Sequence, residues 1–146
     1  MKIFSPSEKL LALSWKQPYA ELMLKGKIET RTWNTNYRGW VLICASKQPY
    51  FTEQLRRISG GKQLVRMGDF LAKINPGFEG KAIAIGRLVD CRPMRKEDED
   101  KCFVQFFPDL FCHVYEDVQA IEPIPWKGKQ GWSEVSPEVK AKIILL

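Results

Sequence analysis

Between Leu10 and Ser46 the chain changes its hydrophobic period several times in quick succession, and each change is punctuated. Leu10–Ser14 is a short apolar run that reads as a strand. Pro18 then opens a helix reaching about Lys25, with proline tolerated in the first turn and Gly26 placed at the exit. From Ile28 to Trp33 the period becomes two: Ile28, Thr30 and Thr32 on one side, Glu29, Arg31 and Trp33 on the other. Asn34–Arg38 carries turn chemistry, and Gly39–Ser46 is a mostly apolar strand of the kind a closed sheet needs.

Further along, Phe51–Ile58 and Gln63–Ile74 read as helices separated by Gly60-Gly61, an insertion at about residues 51–75. Lys81–Cys91 is a long apolar strand in which Gly86 marks a bulge or a close approach, and Pro93 ends it. Glu97–Asp100 reads as a solvated acidic segment. Phe111–Ile121 is a further strand, blocked by Glu122–Pro125. Lys127–Trp132 is a glycine-punctuated loop, and Ser136-Pro137 begins a short helix with Ser as cap. The residues Ile143–Leu146 either finish that helix or add an edge strand. Helices are too few and irregular for a doubly wound sheet, so the fold class expected is α+β, a small mixed β-barrel with peripheral helices in one domain over residues 1–146.

Charge is distributed unevenly. Residues 1–66 hold twelve Lys/Arg against four Asp/Glu, whereas residues 67–146 hold eleven against thirteen. A cationic first half suits a phosphate-bearing partner, RNA or nucleotide. No apolar run approaches the length of a membrane span, so no membrane partner is expected. Nothing at the N-terminus has the make-up of a signal peptide, and the expected location is cytoplasmic. The four cysteines (Cys44, Cys91, Cys102, Cys112) lack the spacing of a zinc site or of a disulfide scaffold. They read as reduced, mostly buried thiols, and no metal or cofactor is expected.

Glu29, Arg31 and Trp33 project from one strand face about 6.5–7 Å apart. Facing a cleft they form a recognition surface; facing inward, the two charges must be paired. An exposed ion pair beside a packing tryptophan is the alternative. Lys25 and Lys27 flank Gly26, Lys16 and Gln17 stand at the start of the same helix, and Arg38 and Lys47 bracket the third strand. Aromatics interleave with these cations, and rings of this kind can stack on the bases of single-stranded RNA; Trp33 and Trp132, beside polar or glycine-rich sequence, are the candidates for the pocket. Trp15 and Trp40 read as core. Gly60-Gly61-Lys62 lacks the spacing of a phosphate loop, and a single histidine, His113, supports no Ser–His–Asp arrangement and reads as structural.

The segment LSWKQPYAELMLKGKIETRTWNTNYRGWVLICASK resembles the ASCH (activating signal cointegrator homology) domain, a branch of the PUA-like superfamily. The matching residues are Gln17-Pro18-Tyr19, then Glu29, Arg31 and Trp33, then Tyr37-Arg38-Gly39 and Cys44-Ala45-Ser46. The stretch Lys127-Gly128-Lys129-Gln130-Gly131-Trp132 resembles that family's C-terminal Gly-Gln-Gly-Leu-Trp element, and Lys81–Asp90 fits the intervening barrel strand. The resemblance implies a small PUA-like barrel whose cleft binds RNA or a nucleotide. For such a cleft the candidate ligand contacts are Lys16, Gln17, Lys27, Glu29, Arg31, Trp33, Arg38, Ser46, Lys47, Gln130 and Trp132.

Some small bacterial members of that family are acetylcytidine amidohydrolases using a Lys, a Thr and a Glu, and ribonuclease activity is reported for others. Aligned without gaps back from Arg31, the lysine position falls on Gly26 and the threonine position on Glu29. A carboxylate cannot replace the hydroxyl, so that triad is not reproduced. Three readings follow: an RNA- or nucleotide-binding module, a hydrolase on RNA or a modified nucleoside with Lys27 and Glu29 as candidate catalytic groups, and a protein-interaction domain.

Overall fold

The computed structural model describes residues 1–146. It is an α+β fold built on one six-stranded sheet of order β2-β5-β4-β3-β1-β6, curled as half a barrel. The strands are β1 (Leu10–Trp15), β2 (Glu29–Arg31), β3 (Gly39–Ala45), β4 (Lys81–Pro93), β5 (Phe111–Pro125) and β6 (Ser133–Glu134). β1 and β3 run parallel; every other pairing is antiparallel. The crossover between the parallel strands carries α1 (Tyr19–Leu22), a 3-10 turn over Met23–Lys25 and β2. Gly26 ends that turn at φ 85°, where a side chain would be strained.

Both faces of the sheet are covered, and the run of apolar residues in β3 follows from this. Val41, Ile43 and Ala45 enter the larger core with Leu13, Trp15 and Met23; Trp40, Leu42 and Cys44 enter a smaller one with Phe4, Leu10 and Ile121. Gly86 has the expected close neighbours: a Cβ there would stand 3.0 Å from Val118 Cγ2, and the β4–β5 register shifts across it. Trp15 and Trp40 are buried as expected.

The helical insertion is α2 (Thr52–Arg66) and α3 (Gly68–Leu71). The expected break between two helices is a kink inside α2, with Gly60 at φ 76° and ψ 166°. Leu55 and Met67 anchor the insertion in the larger core, and the Gln105 N–H donates to Ile58 O across the kink. Ser136 caps α5 (Pro137–Ala141) by accepting from the Val139 N–H. Leu145 forms a single bridge to Ile121, so the C-terminus ends as an edge segment.

Two expectations are corrected. Glu97–Asp100 is not wholly solvated: Asp98, just ahead of α4 (Glu99–Cys102), is 5% exposed and accepts from Arg92 at 2.7 and 2.9 Å and from the Arg95 N–H at 2.8 Å. Nor does Glu122–Pro125 block β5, which pairs as far as Lys81↔Pro125. Pro123 and Pro125 lie beyond the reach of β2, which pairs only with Phe111–His113, so their missing N–H groups interrupt no ladder on that side.

Cys44, Cys102 and Cys112 are buried and Cys91 half-buried. The Cys102 and Cys112 sulfurs stand 3.9 Å apart, and Cys112 faces Asp98, whereas His113 points to the opposite side of β5 toward Trp33. No helix is long and apolar enough to cross a membrane.

Candidate nucleic-acid interface

β2 and the two residues after it line a cleft of about 1750 Å³ along their whole run, Thr30 and Thr32 as well as Glu29, Arg31 and Trp33. The loop Lys127–Gly131 also lines it, with Pro125 and Trp126 leading into the loop. Ser46, Lys47 and Gln48 after β3 form one end, and Gln54, Arg57 and Ile58 of α2 lean in beside Phe107.

The floor is a buried ionic chain. Glu29 is 6% exposed; its Oε1 accepts from Lys27 Nζ at 2.9 Å, and its Oε2 lies 2.9 Å from Arg31 Nε. That second contact is a close ion pair in which the Nε–H does not point along the line to the oxygen. Burial raises the Glu29 pKa, but the adjoining Lys27 and Arg31 outweigh it and hold the carboxyl below its ordinary value. Glu29 is therefore an ionised anchor, hydrogen-bonded through Oε1 and in ion contact, without a hydrogen bond, through Oε2.

Lys27 also donates to Ile28 O at 3.0 Å, and the Tyr19 ring covers its ammonium at 4.8 Å. Its side chain abuts the cleft wall yet has no exposure at all. Arg31 differs. Its guanidinium lies 5.0 Å over the Trp15 ring and 6.0 Å from the Trp33 ring, and Nη2 donates to Ser14 O at 2.9 Å. Nη1 has no partner within the protein and is not sealed from solvent.

Trp33 is fixed from behind. Its ring meets His113 edge-on at 4.9 Å and Trp132 at 5.7 Å, while the His113 Nε2–H donates to Trp33 O at 2.9 Å. Burial lowers the His113 pKa, so the ring is neutral, consistent with the structural role expected of it.

Of the expected contact residues, Lys16, Glu29, Arg31, Trp33, Ser46, Lys47 and Gln130 line one cleft, with Lys27 sealed beneath it. Three are placed elsewhere. Gln17 is 1% exposed and bridges to Glu21 at both ends of its amide, capping α1. Arg38 points away and donates to Thr35 O and Tyr37 O within its own turn. Trp132 packs behind Trp33 and Tyr37 and does not reach the cleft; Trp126 lines it instead.

Sequence reasoning missed Tyr50, Arg57, Phe107 and Trp126. Gln54 and Arg57, three apart on a helix, carried a weak signal as one polar face. Phe107 carried none, since its place depends on how α4 returns to β5.

Charge accounts for the character of the whole concavity. Lys27 and Arg31 on the floor and Lys16, Lys47, Arg57, Lys127 and Lys129 on the rim face a single carboxylate, Glu29. Seven cations against one carboxylate give this one cleft a local excess of six positive charges. No family model matches the chain, and no curated protein matches it either.

Proposed function

We propose that this chain is an ASCH-type member of the PUA-like group and that the cleft binds single-stranded RNA or a nucleotide. The observation that carries the reading is one concavity lined by seven cations against a single carboxylate, with aromatic residues among its lining. A polyanion is drawn to such a field, and low-dielectric walls focus it. The rim cations sit on flexible, exposed side chains suited to phosphates, whereas Trp33, Tyr50 and Trp126 offer rings for stacking, worth about 1–3 kcal/mol per base in other systems.

The hydrolase reading finds less support. Glu29 is locked and held ionised, which disfavours it as a proton donor near neutrality, and the Lys27 ammonium is covered. A binding module needs neither group free.

Titration of a fluorescently labelled single-stranded RNA hexamer at rising salt tests the reading. Binding should weaken with a log–log slope of about 0.7 per phosphate neutralised. Absence of binding to the hexamer and to nucleoside monophosphates at low salt removes it.

A further inference from the structure

β2 closes one end of the sheet and pairs with β5 alone. Its main chain alternates in direction from residue to residue, as its side chains do. Ile28, just ahead of it, fixes the parity: its N–H donates to Lys101 O at 3.0 Å and its carbonyl accepts from Lys27 Nζ at 3.0 Å, so both groups turn away from β5. Trp33, on the other parity, turns its carbonyl toward β5 and accepts from His113 Nε2 at 2.9 Å. Thr30 and Thr32 share the parity of Ile28, and their main chain points outward. Neither the N–H nor the carbonyl of Thr32 meets another protein group. Thr30 and Thr32 border the cleft together with Glu29, Arg31 and Trp33. A cavity bordered by side chains of both parities runs along the edge of a strand, not over one of its faces. The cleft therefore contains an open stretch of sheet edge, Thr30 O followed by Thr32 N–H and Thr32 O.

We infer that this edge is where a nucleobase docks: Thr32 N–H donates to a ring or exocyclic acceptor of the base, and a base N–H donates to Thr30 O. The assignment rests on the RNA- or nucleotide-binding reading and gives the base its place within that site. An acceptor followed by a donor is the complement of the amide-like edge that uracil presents through O4 and N3–H. Adenine and cytosine present N6–H₂ and N4–H₂ beside a ring nitrogen, so the edge registers a base without selecting which one. The rim cations hold phosphates and carry no base information. A peptide adding itself to the sheet needs a longer row of free groups than this, because the Ile28 pair at one end is already occupied. Exchanging side chains leaves such main-chain recognition in place, whereas removing an N–H does not.

The test uses the full chain and three RNA hexamers of otherwise abasic backbone, carrying at one central position uracil, difluorotoluene (the shape of the base without its hydrogen bonds) or no base. The uracil strand is expected to bind about tenfold more tightly than the difluorotoluene strand. Thr32→Pro removes the N–H at an edge position where proline is tolerated, and Arg31 before it is already extended. That variant should bring the two strands to equal affinity while leaving the abasic strand within about twofold of wild type. Thr32→Ala, which keeps the N–H, should keep the preference. Equal binding of the uracil and difluorotoluene strands to the wild type overturns the inference and leaves the cleft reading standing, on phosphate contacts and stacking alone. A uracil preference that survives Thr32→Pro, or one lost in Thr32→Ala, also overturns it. Failure of every strand to bind removes the cleft reading itself. Should Thr32→Pro not fold, amide hydrogen exchange in the wild type decides: the Thr32 N–H must exchange more slowly with the uracil strand than with the difluorotoluene strand. Equal exchange overturns the inference, and so does protection by an oligoglutamate peptide but not by RNA.

Discussion

The molecule contains two buried carboxylates, each set between two cations, and they behave differently. Glu29 is clasped by Lys27 and Arg31; Asp98 is clasped by Arg92, with Arg95 alongside at 3.8 Å. Around Asp98 the ionic contacts serve the chain itself: the carboxylate accepts the Arg95 N–H at the start of a 3-10 turn, and Arg92 engages it through both terminal nitrogens. Around Glu29 one cation is sealed and the other retains an unused nitrogen facing a cavity. A buried ion pair therefore says little about function until the leftover donors and acceptors have been located. The Asp98 cluster closes on itself, and the Glu29 cluster presents a residual positive group.

The largest expected contrast between them is in stability. Glu29→Ala leaves Lys27, whose side chain has no exposure, as an uncompensated buried charge and should cost about 3–5 kcal/mol. Asp98→Ala should cost about 1–3 kcal/mol, because Arg92, 28% exposed on its side chain, can turn to water. Urea unfolding of the two variants measures both. Equal costs would break the distinction drawn here, since Lys27 would then have an escape that its burial denies.

Acid unfolding sharpens it. Glu29 is held below its ordinary 4.5 by Lys27 and Arg31 against the cost of burial. Asp98 is held well below its ordinary 3.8, chiefly by the Arg92 hydrogen bonds. With folded pKa values depressed, the unfolded chain binds more protons in acid. The stability these groups contribute is complete above about pH 5 and is lost as pH falls through the folded values. Asp98→Asn should flatten the fall in stability between about pH 4 and 2, by on the order of 1–2 kcal/mol, in urea titrations repeated across that range. An unchanged slope would mean that Asp98 is paired equally well in the unfolded chain.

How much of this was written in the sequence depends on the range over which each feature is decided. The Ser136 cap is decided three residues away, at the Val139 N–H, and local pattern reveals it. Lys27 was legible as a cation at the helix-to-strand junction, but its burial was not, because the Tyr19 ring that covers it comes from another element. Asp98 looked like part of a solvated acidic run for the same reason: Arg92, its partner, stands at the end of a different element. Trp132 and Trp126 are indistinguishable by composition. Which of them reaches the cleft is set by the path of the loop past Ser14, whose Oγ would lie 3.1 Å from a Cβ at Gly128. The helical insertion gave its existence away but not its contribution, a cationic wall through Arg57.

The rim and the rest of the surface form the last contrast, and here the expected effects are smallest. Lys47→Glu and Lys127→Glu each remove one exposed cleft cation with no ion-pair partner and should lower the affinity for a single-stranded RNA hexamer about three- to tenfold, without moving the melting temperature. Arg38→Glu makes the same change of charge on a side chain that points away from the cleft, toward Thr35 O and Tyr37 O. If total charge governs binding, the three variants will weaken RNA equally. If the cleft governs it, Arg38→Glu leaves affinity within about twofold of wild type at physiological salt, where the Debye length of about 8 Å screens a remote charge. Fluorescence polarisation of the three variants side by side separates the two cases, and only the second is compatible with binding in the cleft.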